Sequence, residues 1–261
     1  MIFCPLYSGS SGNSIFVSGG GSSILIDAGL PGKRIEKALK DIGKEPSQLD
    51  AIFVTHEHID HVKGVGVMSR RYNIPIYANE LTWCGMKKSV GKINDENVKI
   101  INKDYVSLKD MQISCFKIPH DAADPIGYTV TENNKKVSIA TDLGYFSEEV
   151  EVAVKNSDVV LLESNHDVEM LKFGPYPYPL KRRILSDIGH LSNECCGKAI
   201  LEIIKRNTKQ VILGHLSKTN NYPDLAYETV ASILRENGVK LGKDISIHMA
   251  NRDMPSNYIE F

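Results

Sequence analysis

The sequence lacks an excess of either charge: 31 lysines and arginines stand against 32 aspartates and glutamates in 261 residues, a formal net charge of −1. That balance excludes a global basic field drawing in nucleic acid. A polyanionic substrate must instead be held by bound cations and a local basic patch. Cysteine is scarce: Cys4, Cys84, Cys115, Cys195 and Cys196 are odd in number, and no C-x-x-C pair occurs. This excludes a zinc knuckle and a disulfide framework, and predicts buried, reduced thiols. No run reaches the roughly 18 apolar residues of a membrane span. The start, Met1-Ile2-Phe3-Cys4-Pro5, has no basic leader before a long apolar stretch. A cytoplasmic protein with no membrane partner is expected. What is present is an apolar fraction of 42%, enough for one large core or two tightly fused halves. No low-complexity linker or strong internal repeat divides the chain, so one domain over residues 1–261 is expected.

Short apolar runs bounded by turn residues predict strands at Ser14–Val17, Ser23–Asp27, Ala51–Thr55, Pro75–Ala78, Gln112–Ile118, Ile126–Thr131, Lys136–Thr141, Val159–Glu163, Gln210–Leu213 and Ile245–Met249. Helical spacing predicts helices at Gly32–Ile42, Asp60–Tyr72, Glu80–Lys88, Ser147–Lys155, Leu180–Ile188, Asn193–Arg206 and Pro223–Asn237, with Ser192 as N-cap of the sixth. The prolines of Phe173–Pro179 predict an irregular loop there. Strand follows strand early in the chain, and strand alternates with helix later. Two packed sheets with helices outside satisfy that order, an α/β class of α+β four-layer form.

One run stands apart from packing: His56-Glu57-His58-Ile59-Asp60-His61, where a buried strand hands over to a helix. From an extended loop His56 and His58 can converge, and Asp60 and His61 point from the first helical turn. Four ionisable groups this close repel or strand one another unless a cation joins them. Imidazole suits zinc, manganese and similar ions, and carboxylate oxygen widens the choice.

His-x-His-x-Asp-His after an apolar strand resembles the signature of the metallo-β-lactamase superfamily, whose fold is an αββα sandwich. The resemblance extends along nearly the whole chain. It implies that Asp27, in Ile-Leu-Ile-Asp-Ala-Gly, orients the site without binding metal. It implies further metal ligands at His120, at Asp142 in Ala-Thr-Asp-Leu-Gly, and at His215 in Leu-Gly-His-Leu-Ser. One divalent ion, zinc or manganese, would then be held by His56, His58, His120 and Asp142, and a second by Asp60, His61, Asp142 and His215. A carboxylate has two oxygens, so Asp142 can bridge. Two cations about 3.5–4 Å apart can activate one water and clamp the attacked and leaving oxygens.

Superfamily members cleave lactams, thioesters, lactones and phosphodiesters, and fold alone does not choose among them. His190, in Gly-His-Leu-Ser with Glu194 after it, resembles the arrangement in ribonuclease Z-like phosphodiesterases, where such a histidine faces the scissile phosphate. Asp60, Asp142 and His190 are therefore expected to be catalytic. The Gly/Ser loop from Ser8 to Ser14, with Ser10, Ser11 and Asn13, is able to cradle a phosphate and equally to be an ordinary turn. Tyr176, with Lys181-Arg182-Arg183 beyond it, offers a stacking face beside cations, and equally a packed loop beside a solvated helix. Ser217, Lys218 and Asn220 follow a ligand and are further candidate contacts. His166 is open between a group that holds a metal ligand from behind, a substrate contact and a structural residue; His248 reads as structural.

Taken together, Ser8–Ser14, Thr55–His58, Pro119–Ala122, Glu163–Asp167, Gly189–Asn193 and His215–Asn221 resemble the YycJ/WalJ family of bacterial metallo-β-lactamase-fold proteins. That resemblance implies exonuclease action on DNA. The stretch from 143 to 214 is too short for the domain that larger ribonuclease J-like nucleases insert there. Open alternatives are a thioesterase or lactonase, a transfer-RNA or cyclic-nucleotide phosphodiesterase, and a metal-dependent binding module without turnover. DNA against RNA, cleavage polarity and oligomeric state stay open.

Overall fold

The computed structural model describes residues 1–205 and 207–261. Its first sheet runs β14-β1-β2-β3-β4-β5-β6, from β1 (Ile2–Tyr7), β2 (Ser14–Gly19), β3 (Ser22–Ile26), β4 (Ala51–Phe53), β5 (Ile76–Ala78), β6 (Val98–Ile100) and β14 (Ile259–Glu260). The second runs β13-β12-β11-β10-β9-β8-β7, from β7 (Tyr105–Leu108), β8 (Met111–Lys117), β9 (Ile126–Glu132), β10 (Lys135–Ala140), β11 (Val159–Glu163), β12 (Gln210–Gly214) and β13 (Ser246–Met249). Each sheet is antiparallel in one half. From β3 onward the first is parallel, and from β10 onward the second is.

The helices cover the outer faces. α1 (Gly32–Asp41), α2 (Ile59–Val62), α3 (Val65–Tyr72) and α4 (Glu80–Val90) belong to the first half. α5 (Glu148–Val154), α6 (Val168–Phe173), α7 (Tyr178–Ile184), α8 (Asn193–Ile204) and α9 (Pro223–Glu236) belong to the second. Three apolar cores follow. Phe3, Ile26, Phe53, Tyr128, Ile139 and Leu161 fill the space between the sheets. Ile35, Leu39, Val62 and Met68 pack helices on the first sheet, and Ile200, Ile203, Val230 and Leu234 pack them on the second. The result is a four-layer αββα sandwich, as the sequence predicts.

Each predicted strand is present with only its ends shifted, but β1, β6, β7 and β14 were not anticipated. β1 carries Pro5 beside a register irregularity, a place where a missing N–H is tolerated. The helix predicted from Asp60 to Tyr72 divides into α2 and α3 around Lys63 and Gly64. The Phe173–Pro179 loop is corrected at both ends. α6 runs into Phe173, and α7 starts at Tyr178 with Pro179 in its first turn, where no backbone donor is lost. α7 stops at Ile184, short of the predicted Ile188, because the Ile184 carbonyl accepts from the His190 backbone N–H at 3.0 Å. Arg206, the predicted end of the sixth helix, lies outside the described residues; α8 is described to Ile204, and Ser192 does cap it. No helix among the described residues is long and apolar enough to cross a membrane.

The architecture fixes where chemistry can occur. The parallel strands of both sheets bring their C-terminal ends to one edge of the sandwich. β8 runs in the direction of β10, since both are antiparallel to β9, so its end arrives there too. The Tyr128 hydroxyl of β9 donates to the Val54 carbonyl at 2.8 Å, pinning the second sheet to the chain just before His56.

Candidate metal centre

All seven side chains expected to bind metal converge at that shared edge. His56 and His61 are fully buried at the end of β4 and in α2. His120 follows β8, Asp142 follows β10, and His215 follows β12.

The hydrogen bonds behind the rings decide which nitrogen each presents. Asp27 accepts from the Thr55 backbone N–H (2.9 Å) and hydroxyl (2.9 Å) and from His61 Nδ1 (2.7 Å). Thr55 Oγ1, having donated to Asp27, accepts from His56 Nδ1 at 3.0 Å. His120 Nδ1 donates to the Gly189 carbonyl at 3.1 Å. His215 Nδ1 donates to Glu163 at 2.7 Å. In all four rings the Nδ1 proton points away, so the Nε2 lone pair faces inward. His58 is the exception and turns Nδ1 inward, 3.1 Å from His56 Nε2 and 3.3 Å from His120 Nε2.

These atoms form two overlapping sets. His56, His58 and His120 make one; Asp60, His61 and His215 make the other. Asp142 lies between them, with Oδ2 3.2 Å from His61 Nε2 and Oδ1 3.5 Å from His215 Nε2 and 3.7 Å from His120 Nε2. Asp142 Oδ2 and His215 Nε2 are buried without a hydrogen-bond partner among the described residues. Burial works against charge on Asp142, yet the facing imidazoles of His215 and His61 hold its carboxyl well below the usual range. His215, despite burial, is raised to about 10, first by Asp142. His61, despite full burial, is raised likewise, by Asp142, Asp27 and Asp60, so the carboxylates favour positive charge at this place. Orphaned donors, inward lone pairs and surplus negative charge fit two divalent ions.

Behind the second set lies a group to which the sequence assigned no role, although it opens the matching stretch Glu163–Asp167. Glu163, fully buried at the end of β11, takes both His190 Nδ1 (2.8 Å) and His215 Nδ1 on one oxygen. Its other oxygen accepts the backbone N–H groups of Leu143 (2.7 Å) and Leu191 (3.1 Å). Burial opposes its charge, but His190 leads the interactions that bring its pKa to about 2. The available signal was a lone carboxylate closing the all-apolar run Val159-Val160-Leu161-Leu162. Below it, Ser164, Asn193 and Asn221 form a buried hydrogen-bonded network, and Asn165 Nδ2 donates to the His215 carbonyl at 2.9 Å. This network ties the ends of β11 and β12 to the start of α8.

A cavity of about 460 Å³ opens over the cluster. Ser10, Tyr176, His190 and Ser217 line it, together with Asn165 and Arg183. The other expected contacts lie elsewhere. Ser11 is exposed outside the lining. Asn13 is buried with Nδ2 3.1 Å from His61 Nε2, and Asn220 is buried behind Ser217, whose hydroxyl accepts its backbone N–H at 3.2 Å. The loop's N–H groups turn inward, Gly9 to Asn13 Oδ1 and Asn13 to the Asp60 carbonyl, so a backbone phosphate cradle does not form there. Lys181 reaches back to the Lys172 carbonyl (2.8 Å), and Arg182 lies over the Tyr178 ring, 6.0 Å from its centre. His166 is buried outside the lining, and burial lowers its pKa to about 4.

The family model for a β-lactamase superfamily domain matches residues 22–216. The exodeoxyribonuclease YycJ of Bacillus anthracis is 41% identical over 255 residues, 97% of each chain. The chain belongs to the YycJ/WalJ family of the metallo-β-lactamase superfamily. Another member, the exodeoxyribonuclease WalJ of Streptococcus pneumoniae, is 41% identical over 251 residues, covering 95% of this chain and 93% of that one. Among solved structures, the metallo-β-lactamase fold protein YhfI of Bacillus subtilis superposes with a TM-score of 0.72 at 14% identity, over 98% of both chains. Zinc-bound PqqB of Methylobacterium extorquens gives 0.72 at 15%, over 98% of this chain and 100% of its own. At such identities these likenesses show the fold alone.

Proposed function

We propose that this family member is a hydrolytic metalloenzyme that cleaves phosphodiester bonds and trims DNA from an end. The observation that carries the reading is His190. Its Nδ1 is held by Glu163, and its ring lines the same cavity as the cluster. A histidine so placed can donate to a phosphoryl or leaving oxygen.

In this reading His56, His58, His120 and Asp142 hold one divalent ion, and Asp60, His61, Asp142 and His215 hold the other, as zinc or manganese. When bound, the pair supplies Lewis acidity and an activated water for attack in line at phosphorus. The chain's own groups do the rest. Glu163 keeps His190 oriented and favours its protonated form, so the proton leaves from the nitrogen away from Glu163. Asp27 keeps the Nδ1 proton of His61 out of the cluster. Ser10, Asn165 and Ser217 offer polar contacts to the strand, and Tyr176 offers a face on which a base can stack. The relatives' names as exodeoxyribonucleases support the substrate. Cys4 and Cys196 are buried as expected, whereas Cys84 and Cys195 are exposed, and free thiols at the surface support a reducing, cytoplasmic setting.

The test is a panel of end-labelled single- and double-stranded DNA and RNA, run with zinc and with manganese, beside acyl thioester, lactone and cyclic phosphodiester substrates. Progressive shortening of DNA from one end is expected. Turnover of acyl substrates with DNA left intact would overturn the reading in favour of a thioesterase or lactonase. Metal binding without any turnover would leave a binding module.

A further inference from the structure

Three consecutive basic residues lie on α7, and only the third faces the cavity. Leu180, Arg183 and Ile184, at spacings of three and four, turn toward the cavity together, while Lys181 and Arg182 turn away. Among the described residues lining the cavity, Arg183 alone carries a permanent positive charge. In a chain of net charge −1, that cation is a local substitute for the missing basic field.

The guanidinium is held in place. Its Nε and Nη2 donate to the two oxygens of Asp121, the second bond at 2.8 Å. Asp121 is itself fixed by its backbone N–H, which donates to the Ile188 carbonyl at 3.1 Å. Arginine carries five N–H donors, and this pairing leaves the remaining ones for a ligand. A free guanidinium on so long a side chain would be drawn toward Asp60 and Asp142, into the reaction space. Asp121 prevents that. Its Oδ1 is 2.8 Å from Arg183 Nη2 and 3.5 Å from His120 Nε2, so the carboxylate stands between the guanidinium and the cluster. The guanidinium therefore sits one group outward from the place where a scissile phosphate would lie.

We infer that Arg183 binds the phosphodiester next to the scissile one, and that Asp121 positions it there, so that the site prefers a polynucleotide to a small diester. This rests on the phosphodiesterase reading above. A planar fork suits phosphate oxygens better than an ammonium does, which gives arginine a reason to stand here in place of lysine.

The experiment compares wild type, Arg183→Ala and Arg183→Lys on a single-stranded oligonucleotide and on bis(4-nitrophenyl) phosphate, which has no neighbouring phosphate. Bound metal and thermal unfolding are measured alongside. For Arg183→Ala, KM for the oligonucleotide rises about tenfold or more, and kcat changes far less. The loss in kcat/KM on the small diester is several-fold smaller than on the oligonucleotide. Arg183→Lys falls between, and it carries the test if the alanine variant folds poorly. A labelled oligonucleotide titrated into EDTA-treated protein weakens by a similar factor. In the Arg183→Ala background, Asp121→Ala adds no further loss in that titration. Equal losses on both substrates, or a fall in kcat at constant KM, overturn the inference and move Arg183 to the scissile phosphate or to a purely structural place. A wild type that cleaves no phosphodiester defeats the underlying reading instead. A wild type that cleaves the oligonucleotide, with variants indifferent, defeats this inference alone.

Discussion

The two sheets end corresponding strands in the same turn and put the turns to opposite uses. β3 leads into Asp27-Ala28-Gly29, and β10, through Thr141, into Asp142-Leu143-Gly144. Both aspartates adopt a left-handed φ of 62°. Both glycines are pressed against a backbone carbonyl. A Cβ on Gly29 would lie 1.6 Å from the Asp60 oxygen, and one on Gly144 would lie 2.0 Å from the Asp187 oxygen. Yet Asp27 uses both oxygens on Thr55 and His61 Nδ1, while Asp142 keeps Oδ2 bare and faces three Nε2 atoms. In the first half the carboxylate behind the rings comes from this turn. In the second it is Glu163, from the neighbouring strand, and that frees Asp142 to enter the cluster. Whether a carboxylate orients a histidine or joins it at a metal depends on which ring nitrogen it meets, not on the turn that carries it.

Substitutions can break this contrast. The largest effect belongs to Asp142→Ala: metal-dependent cleavage is abolished and bound metal per chain falls, read by elemental analysis, and excess metal does not restore activity. Next is His190→Ala, which keeps its metal and loses roughly 10²–10⁴-fold in kcat; a collapse in metal content would instead make His190 a ligand. Asp27→Ala and Glu163→Gln come third, each costing roughly 10–100-fold. For Asp27→Ala the loss lies in metal affinity and is recovered at high metal concentration. For Glu163→Gln part of it remains in kcat at saturating metal, because Glu163 serves His190 as well as His215. If both are fully recovered by metal, the two carboxylates do not differ as described. The smallest effects are in stability: Gly29→Ala and Gly144→Ala each lose about 1–3 kcal/mol in chemical denaturation, and both weaken metal binding, the first by displacing the Asp60 backbone and the second by displacing Asp187 and Ile188, next to the Gly189 carbonyl that holds His120.

The sequence shows this contrast unevenly. His56 to His61 were legible because no core arrangement needs that many ionisable groups at one strand end, and the resemblance of that run to the superfamily signature is what implied His120, Asp142 and His215. Strands were legible because apolar runs between turn residues leave little else. Glu163 was not, since a carboxylate that serves from behind has no spacing relation to the rings it holds, 27 and 52 residues away. The cavity wall was legible only in part. A run of Lys-Arg-Arg records charge, but the phase of α7, which turns Leu180, Arg183 and Ile184 to the cavity together, decides that Arg183 faces in. The Gly/Ser loop suggested a cradle by composition, whereas its N–H groups are consumed in holding Asn13 and Asp60 in place.

The most direct test of the account is a titration of metal-depleted protein with manganese, following bound metal per chain and the shortening of an end-labelled single-stranded DNA in the same samples. Full cleavage is expected to require two ions per chain. Cleavage by protein holding no metal, or full cleavage at one ion per chain, would contradict it.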